Sequence, residues 1–169
     1  MRKLIIGISI IFLSLTQIIY VNAAEAEYNP VPKSQDTHPA YIQKIFSENG
    51  KIFITADYIQ WFEGEEANKV FRDYEKDSGI SEAPDGYYIV NQNKKLRTFE
   101  LANDAVILMQ IYNRTGKVEE ADIVWNERIH VKKYKYHFIN NDGINLEDFP
   151  YHLTIKNNKI IKIVQQYIP

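Results

Sequence analysis

The sequence predicts an α+β domain: a curled, mostly antiparallel sheet or small β-barrel with one or two helices. Three observations lead there. Two Asn-rich turns, Asn49-Gly50 and Asn157-Asn158-Lys159, are flanked by alternating apolar residues, the mark of β-hairpins. One segment, Gly64 to Lys76, carries an apolar stripe at helical spacing. The apolar runs between helix and second hairpin are separated by links too short for crossovers, so antiparallel neighbours are expected.

The elements follow in chain order. Arg2 and Lys3 precede a largely apolar stretch from Leu4 to Val21, and small residues follow at Ala23, Ala24 and Ala26. This order is that of an export signal. Cleavage is expected after Ala26, with Ala23 as the other candidate, which makes residues 1–26 a signal peptide. An uncleaved anchor is the alternative, since the stretch approaches the roughly 20 residues that a bilayer crossing needs. The expected location is therefore secreted, or at the extracellular face of the cell envelope. Residues 27–39 hold Pro30, Pro32 and Pro39 among polar residues and read as a spacer. A single globular domain is expected over residues 40–169.

A two-residue turn at Asn49-Gly50 sets Phe46 opposite Phe53, Ile45 opposite Ile54 and Tyr41 opposite Tyr58. In the helix from about Gly64 to Lys76, Ala67, Val70, Phe71 and Tyr74 form the buried face. Glu65 and Glu66 suit its first turn, and Glu65 and Lys69 stand as i,i+4 partners. Strands are expected at Tyr87 to Asn91, Leu96 to Leu101 and Ala105 to Tyr112, with residues 102–104 linking the last two. Val131 to Asn140 reads best as a second helix, because Val131, Tyr134 and Phe138 then share a stripe. A three-residue loop at 157–159 sets Leu153 opposite Ile163 and Ile155 opposite Ile161.

Composition narrows the chemistry. There is no Cys, so disulfides, thiol nucleophiles and lipoprotein anchoring are excluded. Without residues 1–26 the chain carries 18 basic and 21 acidic residues, a net charge of −3. Such a balance with no basic tract offers no footprint for nucleic acid. Glu63, Glu65 and Glu66 are explained by a helix start better than by an acid–base pair. The Asn140 to Asp148 stretch aligns with a calcium loop only by placing Phe138 and Phe149 at ligand positions. His38, His130, His137 and His152 lack zinc-ligand spacing and are expected at surface or edge positions. No catalytic residue, metal site or cofactor is assigned.

What remains is aromatic. Tyr87, Tyr88, Tyr134, Tyr136, Tyr151, Tyr167, Trp61 and Trp125 suit either a strand-rich core or a binding groove. Trp61, Tyr87, Tyr88 and Tyr151 are the aromatic candidates for ligand contact. Arg97 joins them, either receiving an anionic group or pairing with Asp104, Asp57 or Glu100. The ordered set Tyr58 to Ala67, Gly86 to Asn91, Leu96-Arg97-Thr98, Asp104-Ala105, Pro150-Tyr151 and Gln165 to Pro169 resembles a family of small exported proteins of Gram-positive bacteria with no established function. The resemblance implies only that Gly86, Asn91, Leu96, Arg97, Tyr151 and Tyr167 act together. The leading functional expectation is a non-catalytic binding module whose partner is an envelope or extracellular protein, peptide or glycan. The competing ones are an extracellular hydrolase with a carboxylate site and an inhibitor of a secreted enzyme. A membrane enters only if the signal segment is retained.

Overall fold

The computed structural model describes residues 28–168. The stretch expected to be an export signal, residues 1–26, lies outside the described residues. Two antiparallel strands, β1 (Thr37–Glu48) and β2 (Lys51–Tyr58), form the first hairpin, followed by β3 (Gln60–Glu63), α1 (Gly64–Tyr74) and β4 (Tyr87–Val90). Then come β5 (Leu96–Met109), β6 (Glu127–Ile129), α2 (Val131–Asn140), β7 (Pro150–Lys156) and β8 (Lys159–Gln165). Among the described residues no helix is long and apolar enough to cross a membrane.

Five strands close a barrel. The order β2-β1-β7-β8-β5 is completed by pairing of β2 with β5, and β6 extends the β5 edge. All pairs are antiparallel except β5 with β8. Counting barrel strands alone, the connectivity is that of the five-stranded Greek-key barrel called the OB-fold. This is the α+β small barrel that the hairpins and the helix stripe predict.

Strand alternation fills the barrel. Ala40, Ile42, Ile45, Ile54, Ala56, Leu101, Ile107, Leu153, Ile160 and Ile163 are all buried in one cluster. α2 closes the end nearest the Asn49-Gly50 turn. Val131, Tyr134 and Phe138 join the core, as their stripe predicts, and Lys135 Nζ donates to Ser47 Oγ at 2.6 Å. The other end is closed by a ring stack: His38 lies 4.8 Å from Tyr58, and Tyr58 lies 6.2 Å from Phe99.

Bulges account for where the register departs from the sequence reading. Phe46 pairs with Phe53 and Ile45 with Ile54, but an irregularity between Ile42 and Lys44 moves the rest. Tyr58 therefore faces Ala40, not Tyr41, and Tyr41 faces Asp57. In the last hairpin Leu153 pairs with Ile163 as expected, but Ile155 pairs with Ile160, not Ile161. The loop is two residues, Asn157-Asn158, both at positive φ, and a bulge after Thr154 takes up the difference. Residues 102–104 are not a link between strands. They lie within the continuous β5, at a register shift between Leu101 and Val106 that bends the strand around the barrel. α1 stops at Tyr74, which is 47% exposed, and Glu65 meets Arg72 at 3.5 Å, not Lys69.

The residues between the second and third barrel strands form an arm. β3 and β4 pair as a ribbon, with α1 packed on one face. Ala67, Phe71 and Ala83 make that small second core, with Phe62 and Tyr88 against it. Because side chains alternate, Trp61, Glu63 and Tyr87 project from the opposite face, and Trp61 meets His152 of β7 edge-on at 6.4 Å. A cleft is left between arm and barrel wall.

Candidate functional site

Three segments besides the arm line this cleft, and each is fixed by hydrogen bonds. The N-terminal strap, residues 28–36, runs along the arm and leads directly into β1. It is more than a spacer: the Tyr28 hydroxyl donates to Glu63 and accepts from Gln166 Nε2 at 2.9 Å. Farther along, Lys33 pairs with Glu66 in the first turn of α1 and lies 5.9 Å from the Phe62 ring centre. The second segment is the return from β5 to β6. Gln110, buried to 2% exposure, accepts from Asn126 N at 2.7 Å and donates to Gln165 O at 3.0 Å through its side chain. Its carbonyl accepts from Val124 N at 2.9 Å. Trp125 sits between these two anchored residues. The third segment follows β8, where Gln166 N donates to Pro150 O at 2.8 Å and so carries Tyr167 to the cleft rim.

The cleft has a volume of about 360 Å³. Trp61 and Tyr87 stack at 4.7 Å with a 15° interplanar angle. Tyr28 is tilted against Trp125 at 5.4 Å, and Tyr167 stands at 89° to Trp125 at 5.8 Å. Pro30, Glu63, Asp85, Gly86 and Gln166 complete the lining. The chain has two tryptophans, and both face this cleft. A second cleft of about 490 Å³ lies on the other side of the Trp61–Glu63 strand, under Val31 to Ser34.

A directed hydrogen-bond chain crosses the site. His152 Nε2 lies 3.1 Å from Gln166 Oε1, an acceptor, so this nitrogen carries the proton. Gln166 then donates to Tyr28, and Tyr28 to Glu63. Burial holds the His152 pKa below its ordinary 6.5 and outweighs the opposing pull of Gln166 and Glu63. The Tyr28 phenol is pushed well up, first by burial and then by its bond to Glu63. Tyr87 is raised by burial and by the nearby Asp85 charge. The chain thus joins barrel wall, strap and arm through neutral donors to one carboxylate.

The residues singled out in the sequence are dispersed. Trp61 and Tyr87 lie side by side in the cleft. Tyr88 points the other way, edge-on to Phe71, with its hydroxyl donating to Glu75 at 2.7 Å, a bond that pushes its pKa up to about 12. Tyr151 is inside the barrel at 0% exposure, donating to Leu146 O at 2.7 Å. Arg97 is at the far barrel end, 4.2 Å from the Tyr58 ring centre, with Nη1 donating to Lys95 O at 2.8 Å. None of the three expected carboxylates receives it. Asp57 accepts from Asn91, and Glu100 is taken by Lys51 and Lys159. Of the other aromatics, Tyr134 is buried and Tyr136 is exposed on α2.

Two of the four histidines are buried, against expectation. His152 is covered by the arm, and His137, in the last turn of α2, shares a hydrogen bond of 3.0 Å with Asp142. That contact also draws Asp142 into the fold. Among the described residues no group of three or more His, Asp or Glu is arranged to hold a metal. Tyr28, Gln110 and Gln166 escaped the sequence reading. Only the Gln165-Gln166 pair, next to a terminal aromatic, gave a signal. Comparison with family models, curated proteins and solved structures finds no match for the chain.

Proposed function

We propose that the chain is a non-catalytic binding module, secreted or held at the extracellular face of the envelope, that works through the cleft around Trp61. The observation that carries this reading is the convergence of both tryptophans with Tyr28, Tyr87 and Tyr167 on one concavity. Its volume falls in the range of small-ligand sites, roughly 300–1,000 Å³. The aromatic walls are positioned by buried glutamines, not left to chance contacts. A rigid aromatic lining gives contact area at low entropic cost.

The lining also weighs against hydrolysis. Acid–base catalysis needs a carboxylate free to exchange a proton with substrate. Of the two carboxylates that line the cleft, Glu63 accepts from Tyr28, which ties it into the hydrogen-bond chain, and Asp85 stands exposed at the rim, outside the kind of buried environment that sets an acid and a base apart. OB-type barrels use the outer face of their second and third strands for ligands. Here that analogy has no weight by itself, since function resides in the site. The flanking turns, Asn49-Gly50 and Asn157-Asn158, are too short to wall that face. The test is binding of the immobilised mature protein to defined peptides and soluble glycans, with mass spectrometry of each probe afterwards. Saturable binding that Tyr87→Ala abolishes, with intact probes, is expected. Absence of binding from both sets, or chemical alteration of a probe, overturns the reading.

A further inference from the structure

The lining of the cleft selects the charge of its occupant. Its aromatic members are Tyr28, Trp61, Tyr87, Trp125 and Tyr167, and its charged members are Glu63 and Asp85. Among the described residues no Lys, Arg or His lines it. Ring faces carry negative electrostatic potential, so aromatic walls and carboxylates favour a cation together. Trp61 and Tyr87 stack on each other at 15° as a single wall, and the remaining rings stand at steep angles, 54° between Tyr28 and Trp125 and 89° between Trp125 and Tyr167. Rings at such angles box a compact group, whereas parallel rings would form a slot for a flat one.

We propose that the cleft is a receptor for a quaternary ammonium group. This deepens the binding reading above and rests on it. The type of cation follows from the acceptors. A primary ammonium brings three N–H donors that need partners once buried. Glu63 already accepts from Tyr28 at one oxygen, its other oxygen cannot by itself meet three donors, and Asp85 stands exposed at the rim. The cleft is therefore rich in ring faces and poor in free inward acceptors. A trimethylated nitrogen has no donors to satisfy and is weakly hydrated, which suits that balance. The adjoining groove shows the contrast: there the primary ammonium of Lys33 sits near the Phe62 ring with Glu66 as its direct partner. His152, the nearest titratable base behind the wall, meets Trp61 edge-on and spends its proton on Gln166. It adds no competing donor to the cleft.

The test is tryptophan emission of the mature protein, titrated at constant ionic strength with three probes. Choline carries the quaternary group, 3,3-dimethylbutan-1-ol is its uncharged isostere, and Nα-acetyl-lysine amide carries a primary ammonium. Choline is expected to saturate below about 10 mM, with the other two at least about tenfold weaker. Trp125→Ala should lose choline binding while the urea midpoint stays near wild type. Asp85→Asn, at the exposed rim, should weaken it by about threefold and guards against a Trp125 variant that fails to fold. Equal binding of the uncharged isostere, tighter binding of the lysine amide, or choline binding that survives both substitutions overturns the proposal. If peptides or glycans bind at Tyr87 and choline does not, the ligand class falls and the binding module stands. If nothing binds, both fall.

Discussion

Replacing Tyr28 by Phe removes one oxygen from the strap. That oxygen donates to Glu63 and accepts from Gln166 at 2.9 Å. The ring remains against Trp125, where the two centroids are 5.4 Å apart, so apolar burial is unchanged. A hydrogen bond to a charged group contributes about 1.5–3 kcal/mol when well buried. Tyr28 and Glu63 are each half-buried, and water replaces part of what is lost. The expected destabilisation is about 1–1.5 kcal/mol. Urea unfolding reads it as a lower midpoint at unchanged slope. Adding Glu63→Gln in both backgrounds completes a double-mutant cycle, with a coupling of about 0.5–1 kcal/mol expected. A midpoint unmoved by Tyr28→Phe, or strictly additive substitutions, refutes the hydrogen-bond chain and returns the strap to a mere spacer.

Three further outcomes are expected. Gln110→Leu leaves the buried Gln165 carbonyl without its donor and the exposed Asn126 N–H to water, and should cost about 1–2 kcal/mol together with a red shift of Trp125 emission; a near-native midpoint contradicts the clamp. The depressed pKa of His152 means that the unfolded chain takes up a proton below about pH 6.5 while the folded chain does not. Stability is complete above that pH and falls toward pH 5, and His152→Asn should flatten this slope; an equal slope in both proteins excludes His152 as its source. Arg97→Leu should cost no more than about 0.5–1 kcal/mol, the value of a part-exposed cation–π contact, and a loss above about 2 kcal/mol would reveal a carboxylate partner.

The sequence carried the elements better than their pairing. Asn49-Gly50 set the first register near the turn, because both residues take positive φ there. The bulge after Ile42 then displaced Tyr58 by one partner, and no residue type at 42–44 announces it. β5 reads as two strands because Asn103 and Asp104 resemble a turn. In the fold they sit at the corner where a long strand bends to pair with β2 and then β8. α2 has the bounds expected for it, since a helix aligns Val131, Tyr134 and Phe138 where a strand would need a bulge, but its His137, expected outside, is buried. The site was half legible. Trp61 and Tyr87 stood out as aromatics, Tyr87 on an expected strand, whereas the short β3 that carries Trp61 and pairs with it was not expected. Tyr28 did not, because a proline-containing segment without apolar period gives no hint that one phenol is anchored by Glu63 and Gln166, 35 and 138 residues away in sequence. Arg97 misled for a related reason: a short strand with nearby acids suggests an ion pair, but lysines at 51 and 159 reach Glu100 first.

The claim on which the account turns is that the two tryptophans belong to one binding cleft. Their indole N–H signals are the most direct reporters, since the chain has two tryptophans and each gives one nitrogen–proton cross-peak. Among the described residues the buried Trp61 indole nitrogen has no hydrogen-bond partner, so its peak is expected apart from that of Trp125. On titration of labelled mature protein with choline, both peaks should move along saturable curves with one dissociation constant, while the Tyr136 amide on the distant α2 stays fixed. If choline saturates other amides of the protein while both indole peaks stay in place, or the two peaks move with unrelated constants, the cleft around Trp61 is not the binding site; if choline moves no peak at all, the ligand class alone falls.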